Sequence, residues 1–517
     1  MKKLTEYILT GVACLITLSS CDSFLDVVPD KRTEIDTNQK VSELLISAYP
    51  TVDPMMIYEH RTDNAMDNGV QYGTGDRMLT ENYFWEDITP NGWDDPEQLW
   101  NSCYKAIATT NQALEGIREI GESKENAPFK GEALLCRAYA HFLLANTFCQ
   151  PYNAATAAKD LGIPYVTKPE KKIGETYERG TVQSVYENIA KDIEEGYPLI
   201  DDNAYAIPLY HFNKRAAAAF ATRFYLFYGK YQKALEYANQ AIPDDPSASL
   251  RNIKEYTMLA QSDEWRDRFI SKDEPANLLL IPLRSLWGRT YASRRYGNSD
   301  ILTSLATYRS RGPWGDVLKD FDWLFGASGY PVKFQPKYNE IFEITNQTSQ
   351  TGQPHTVQMA FTVDETLLCR AEIHTMLKRY DQAAQDLSYW YIKKGGEGAD
   401  WQTIVRFYTD REAADKKAIQ KNELHPMLAL VKPFNAVFEI EAGTQEKMLQ
   451  GVLHARRIET MYSGLRWLDI RRYGIEVIHN VDGEVENQVT LPAGDLRRVI
   501  QIPQSVTTAG MTPNPSK

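Results

Sequence analysis

Apolar residues recur every three or four positions along most of the chain, the spacing of one buried face of an α-helix. Trp100, Tyr104, Ile107 and Leu114, with Asn111 among them, follow Asp94-Asp95-Pro96, which puts acid and proline in a first helical turn. The same period runs from Ala133 to Phe148, Thr181 to Ile200 and Lys214 to Ile242, with a first helix predicted over roughly 38–49. Helical patterns that follow one another without alternating strands predict a mainly α body.

Internal repeats refine that picture. Residues 132–144 (EALLCRAYAHFLL) and 365–377 (ETLLCRAEIHTML) agree at eight of thirteen positions, including Cys136/Cys369, Arg137/Arg370 and His141/His374. FYLFYGKYQKALEYANQAI (224–242) and IHTMLKRYDQAAQDL (373–387) each place a Tyr three residues before an Ala, Tyr231/Ala234 and Tyr380/Ala383. That is the inter-helix turn of a tetratricopeptide hairpin, in which the Tyr fills the bend and the Ala lets two helices approach. The repeats are few and far apart. They predict a tetratricopeptide-like helix-pair scaffold with long irregular insertions and a few short strands. The insertions run from about residue 53 to 96 and from about 243 to 355, rich in Gly, Pro, Asn, Asp and aromatics. Loops of that length in a folded body tend to carry function. The last stretch, 491–517, reads as an edge segment and a loose Pro-rich tail.

The start of the chain reads differently. Lys2 and Lys3 precede an apolar run from Ile8 to Leu18, too short for a spanning helix and suited to an export signal. Leu18-Ser19-Ser20-Cys21 resembles a bacterial lipobox, so Cys21 is expected to be acylated and to become the mature N-terminus. The expected organisation is a signal over 1–20, a lipidated tether over 21–37 (within CDSFLDVVPDKRTEIDTNQK) and a body over 38–517. The body divides at about 242 into an N-terminal helical-repeat part and a C-terminal part with insertions. Several acyl chains on one Cys anchor stably, so contact with the membrane is through lipid only. Cys103, Cys136, Cys149 and Cys369 show no CxxC or zinc spacing and are read as small buried apolar residues.

Charge and motifs narrow the function. With 57 Lys+Arg against 69 Asp+Glu, a net charge of −12 and no basic patch, the chain is unsuited to neutralising phosphates, and nucleic acid is excluded as a partner. There is no GxSxG, HExxH, P-loop, GxGxxG or EF-hand sequence. Pairs such as Asp63/Asp67 and Glu194/Glu195 read as solvated acidic faces. No enzyme, cofactor or metal is expected. The chemistry lies in the aromatics, 10 Trp, 30 Tyr and 18 Phe. Tyr72, Trp85 and Trp93 in the first insertion, and Trp287, Tyr296, Trp314 and Trp323 in the second, are interleaved with Asp, Asn and Arg. Flat rings flanked by such hydrogen-bonding groups suit sugar rings, which present an apolar C–H face and a rim of hydroxyls. These seven are the candidate glycan-binding residues.

The chain resembles the SusD/RagB family, surface lipoproteins of Bacteroidetes that partner an outer-membrane TonB-dependent transporter. The resemblance runs from CDSFLDVVPD through RAYAHFLLANTFCQPYN, LGIPYVTKPE and RGTVQSVYENIAKDIEE to ARRIETMYSGLRWLDIRRYG (455–474), which is similar to the family's late signature. In that signature Ala455 and Ser463 stand where the family has acidic residues, and a helix is expected to end near Gly464, where a left-handed cap is permitted. The resemblance implies a SusD-like fold that binds oligo- or polysaccharide without cleaving it and closes as a lid over a SusC-like barrel. No ligand residue follows from it by motif. It also reaches RagB-like peptide capture, and a helical-repeat adaptor whose only ligand is the transporter is a further alternative.

Overall fold

The computed structural model describes residues 35–73, 75–170, 177–321, 323–326 and 329–515. The export signal, Cys21 and most of the tether lie outside the described residues. Helix α1 (Asn38–Leu45) lies on α2 (Pro96–Ile120), whose N-terminus is capped by the Asp95 side chain accepting from the Gln98 amide. α2 packs on α3 (Ala127–Phe148), and α3 on α4 (Val182–Gly196). The predicted 214–242 segment is a hairpin of α5 (Lys214–Phe227) and α6 (Tyr231–Ala241), folding back at Gly229 with a φ of +71°. Then come α7 (Val363–Met376), α8 (Tyr380–Lys393), α9 (Trp401–Gln420), α10 (Thr444–Glu459) and α11 (Leu465–Tyr473). α7 is central, touching α5, α6, α8 and α10, so helix pairing continues past residue 242.

The repeated sequence has a repeated job. Arg137 makes a two-pronged pair with Asp192 of α4 at 2.7 and 2.7 Å, and Arg370 does the same with Asp386 of α8 at 2.9 and 2.7 Å. Each ties a helix to the one it packs against. Ala234 and Ala383 are fully buried where the paired helices approach. His141 stacks on Tyr165 at 3.8 Å and accepts from the Val166 amide, a packing role. The four body cysteines are buried and unpaired.

Strands are short. β1 (Met66–Asp67) pairs with β3 (Tyr296–Gly297). β5 (Thr351–Thr362) is flanked by β2 (Asn277–Leu283) and β4 (Ile341–Asn346), and β6 (Val477–Val481) forms a hairpin with β7 (Glu484–Leu491). All pairings are antiparallel. No helix among the described residues is long and apolar enough to cross a membrane.

Three expectations need correction here. The end of the chain is pinned: Asn514 donates to the Phe148 and Ile500 carbonyls and accepts from Arg179, which also bonds the Thr512 carbonyl. Gly464 opens α11 (φ +75°) instead of closing α10, and a Cβ there would come within 3.1 Å of Met55 Cα. Asp63 and Asp67 are buried ion-pair partners and form no solvated acidic face.

Asp63 shows why. Its carboxylate takes Arg466 at 2.9 and 3.0 Å, Lys432 at 3.2 Å and Arg457 at 3.6 Å. Burial alone would raise its pKa, but Arg457, Arg466 and Lys432 outweigh that and hold it well below the usual carboxylate range. Alongside, Arg456 pairs with Asp469 at 3.0 Å and Glu365 at 3.3 Å, Arg472 with Glu372 at 2.8 Å, and Glu365 with Arg223 of α5 at 2.9 Å. This network is complete without acids at 455 and 463, where Ala455 is buried and the Ser463 hydroxyl donates to the Thr460 carbonyl. Asp63→Asn strands three buried cations and should lower unfolding stability by about 3–5 kcal/mol in urea titrations. Because the folded-state pKa is depressed, Asp63's contribution is present above its unfolded pKa of about 3.9 and fades as pH falls below it. The difference between wild type and variant should therefore shrink in acid.

Candidate ligand-binding site

The two insertions meet at β1 and β3, where Met66 faces Gly297 and Asp67 faces Tyr296. Beyond the strands, the Asn68 amide donates to the Arg295 carbonyl at 2.7 Å and its side chain to the Arg294 carbonyl at 2.9 Å. Arg295 then reaches across both loops, donating to Asp67 at 3.2 Å, to Asp482 in the β6–β7 turn at 3.0 Å and to the Gly73 carbonyl at 3.0 Å. Asp67 also accepts from the Gly69 and Asp482 amides, both at 2.9 Å. The β6–β7 turn presses so close that a Cβ on Gly483 would lie 3.1 Å from Gly69 Cα. Three segments, from early, middle and late in the chain, are thus clamped through one carboxylate and one guanidinium.

Beneath this clamp runs a column of rings. Arg295 lies over Tyr296 at 5.2 Å and Tyr296 stacks on Tyr83 at 4.5 Å. Tyr83 stacks on His479 at 4.1 Å, His479 on Trp85 at 4.5 Å, and Arg497 covers Trp85 at 5.6 Å. The rings satisfy one another and the arginines close both ends. Burial holds the His479 pKa down at about 4, so at neutral pH the ring is uncharged and stacks as an aromatic.

Of the candidate aromatics, four are therefore not platforms. Trp85 and Tyr296 have their faces covered within the column. Trp287 is wholly buried and donates to the Tyr462 carbonyl at 3.1 Å. Trp314 is buried against Tyr391, Trp390 and His454. A ring without accessible surface anchors its loop and has no face to offer a sugar. Trp93 is half-buried with Arg284 over it at 4.2 Å, at a separate junction where the neighbouring Asp94 accepts from the Leu286 amide. Tyr72 is half-buried in the loop that Arg295 holds through Gly73, and Trp323 is 58% exposed.

The structure adds two residues to these. Tyr330, half-buried on the same loop as Trp323, donates to the Ala292 carbonyl at 2.9 Å and carries the Arg294 guanidinium over its ring at 4.8 Å. Arg294 is exposed and, among the described residues, has no carboxylate partner. Tyr330 was detectable as the aromatic between Gly329 and Pro331 in the second insertion. The arrangement leaves the Trp323 ring, parts of Tyr72 and Tyr330, and the Arg294 guanidinium accessible to solvent. It holds no nucleophile–base pair, and among the described residues no group of three or more His, Cys, Asp or Glu is placed to bind a metal ion.

Two larger concavities lie elsewhere. One of about 890 Å³ opens on the helical repeats between α4 and the α5–α6 turn, lined by Tyr225, Tyr228, Tyr231, Glu194 and Lys233. Its rings are tied into local pairs, the Tyr225 hydroxyl donating to Glu194, which also pairs with Lys233. Another of about 780 Å³ runs along α2 and is mainly apolar.

Paired helices as scaffold, with clamped loops between them, define the class: a helical-repeat protein with long insertions. Residues 23–226 match the family model described as "SusD-like_3: Starch-binding associating with outer membrane". "SusD-like protein P2" of Formosa agariphila is 28% identical over 172 residues, which are 32% of this chain and 31% of that relative. The match thus spans about a third of the curated relative's length. A SusD superfamily protein from Bacteroides vulgatus superposes with a TM-score of 0.64 at 20% identity, covering 93% of this chain and 99% of that one. A "Laminarin binding SusD-like protein" superposes at 0.56 with 15% identity, covering 93% and 99%. Residues 23–226 are thus similar to a SusD-like family model, and the fold over most of the chain is that of solved SusD superfamily structures.

The burial pattern gives a direct test. Trp287→Ala and Trp314→Ala should each cost about 3–5 kcal/mol of unfolding stability, as expected for large core aromatics. Trp323→Ala should stay within about 0.5 kcal/mol of wild type in the same urea titration.

Proposed function

We propose that this chain is a non-catalytic outer-membrane lipoprotein, anchored through acylated Cys21, that captures oligo- or polysaccharide where its insertions converge. It then delivers the glycan to a SusC-like TonB-dependent transporter. The observation that carries this reading is that the insertions keep solvent-accessible rings, Trp323 exposed and Tyr72 and Tyr330 half-buried, with the exposed Arg294 over Tyr330 and the Asp67–Arg295 clamp fixing the backbone next to Tyr72 and Arg294. Rigid placement matters because a platform that must first be ordered loses affinity to that ordering. A sugar's C–H face would stack on the rings while Arg294 and Asn68 hydrogen-bond its hydroxyls. The family's starch-binding description and the laminarin-binding neighbour support this class of ligand. The tyrosine-lined groove on the helical repeats leaves a second, charged surface for the barrel.

Calorimetric titration against a panel that includes starch fragments and laminarin tests the reading. Trp323→Ala and Tyr330→Ala should each weaken the responding glycan about tenfold, near 1.4 kcal/mol, with the fold intact. Tyr210→Ala, an exposed ring on another loop, should change nothing. A wild-type protein with no affinity for any glycan would sink the proposal. Binding of mixed peptides instead would favour peptide capture, and a transporter complex without any ligand response would favour the adaptor reading.

A further inference from the structure

Three helix ends come together where α7 begins and where α8 and α10 stop. Asp364 lies in the first turn of α7, Lys394 follows the last residue of α8, and Glu459 is the last residue of α10. Lys394 Nζ donates to Asp364 Oδ1 at 2.7 Å and to the Arg251 carbonyl at 3.0 Å, and Glu459 Oε2 lies 3.5 Å from the same nitrogen. The Lys394 and Asp364 side chains are wholly out of water. The buried Trp390 donates its Nε1 to Glu459 Oε2 at 2.9 Å, which holds that carboxylate in place, and the Phe321 ring lies 5.4 Å from Lys394 Nζ.

An ion pair so enclosed is costly, and one proton moved from the ammonium to the carboxylate removes both charges. An amine and a carboxylic acid then stand in contact, the two halves of an amide. Burial pushes the Asp364 carboxyl above its usual range in spite of Lys394, and the charge of Glu459 adds to the push. A second enclosed lysine–aspartate contact, Lys432 with Asp63 at 3.2 Å, is of a different kind: there, against the effect of burial, Arg457 and Arg466 keep the carboxylate ionised.

We propose that Lys394 and Asp364 condense into an intramolecular amide, an isopeptide bond, with Glu459 as the proton carrier. The neutral Nζ attacks Asp364 Cγ and the N–C bond forms. Glu459 takes a proton from that nitrogen and returns it to the carboxyl hydroxyl, whose C–O bond breaks, so that one water leaves. From ammonium and carboxylate the overall change is amide plus water, and no oxidant or activating group takes part. The Arg251 backbone N–H, whose nitrogen lies 3.3 and 3.2 Å from the two Asp364 oxygens, donates to the negative charge that develops on oxygen as the amine adds. A cavity of about 40 Å³ shares Arg251 and Glu459 with this site and has room for the water released. Position assigns the two acids their parts: the amine touches Asp364, and Glu459 stands one step further off.

The consequence is a closed helix pair. α7 and α8 are already joined by their turn at one end, and the amide joins them at the other, making residues 364–394 a covalent ring at the centre of the body. Such a ring has less freedom to lose on folding. The four body cysteines are unpaired, so the amide does for this pair what a disulfide would do, and it survives reductant.

Peptide mapping of the full mature chain, denatured and reduced, is the test. Trypsin does not cut after an acylated lysine, so wild type should yield residues 338–370 joined to residues 394–406, one water lighter than the sum of the two. Glu459→Gln keeps an acceptor for Trp390 but carries no proton, and should lower the yield of the branched peptide about tenfold or more with the far-UV circular dichroism unchanged. Asp364→Ala should give only the linear peptides 338–370 and 395–406. Wild-type protein that gives those same linear peptides would overturn the proposal, whether or not the variants fold. A branched peptide of undiminished yield in Glu459→Gln would remove Glu459 from the reaction and sink the mechanism.

Discussion

The fold depends on a set of arginines whose charge has been taken out of water. Arg456, Arg466 and Arg472, within twenty residues of one another, pair with Asp469 nearby, with Glu365 and Glu372 on α7, and with Asp63 in the first insertion. Desolvating each ion alone would cost several kcal/mol, so none of these groups is tolerable unless its partner is delivered from a distant part of the chain. The network therefore enforces one arrangement of α7, α10 and α11, and fastens the first insertion to them. The ion pairs add direction to the apolar anchoring that Met55, Ile57, Leu79 and Tyr83 of that insertion already supply.

The working face inherits that rigidity. Once Asp63 fixes the root of the first insertion, β1 can meet β3, and Arg295 can join Asp67, Asp482 and Gly73 into one clamp. Below it the ring column from Tyr296 to Trp85 converts most aromatics of these loops into structure. What remains exposed is a small set of rings whose positions are set by groups they do not touch. Such a division, buried aromatics for support and a few exposed ones, lets the exposed rings change without unfolding the loops.

The helices were legible because burial of one face imposes a 3.6-residue period that nothing else in the sequence mimics. The Arg137/Arg370 repeat was legible as a repeat, and the structure gives it a meaning as a clamp between paired helices. The candidate binding residues were less legible. Trp85, Trp287, Tyr296 and Trp314 sit in loops of the composition that suits a sugar site, yet each is buried by a partner hundreds of residues away or on another element. Composition records that a ring is present in a loop and carries no information on which of its faces is covered. Likewise the Pro-rich end looked loose because its anchors, Arg179 and the Phe148 carbonyl, belong to other segments.

By itself, then, the sequence determined the local matters: which segments coil into helices, where they turn and where long insertions interrupt them. Those follow from interactions between near neighbours. Which aromatics are scaffold and which face solvent, and whether Asp63 and Asp67 are surface acids or buried counter-ions, were decided by tertiary structure. Each depends on contacts across large sequence separations, where the energy of a side chain is set by what the fold brings to it.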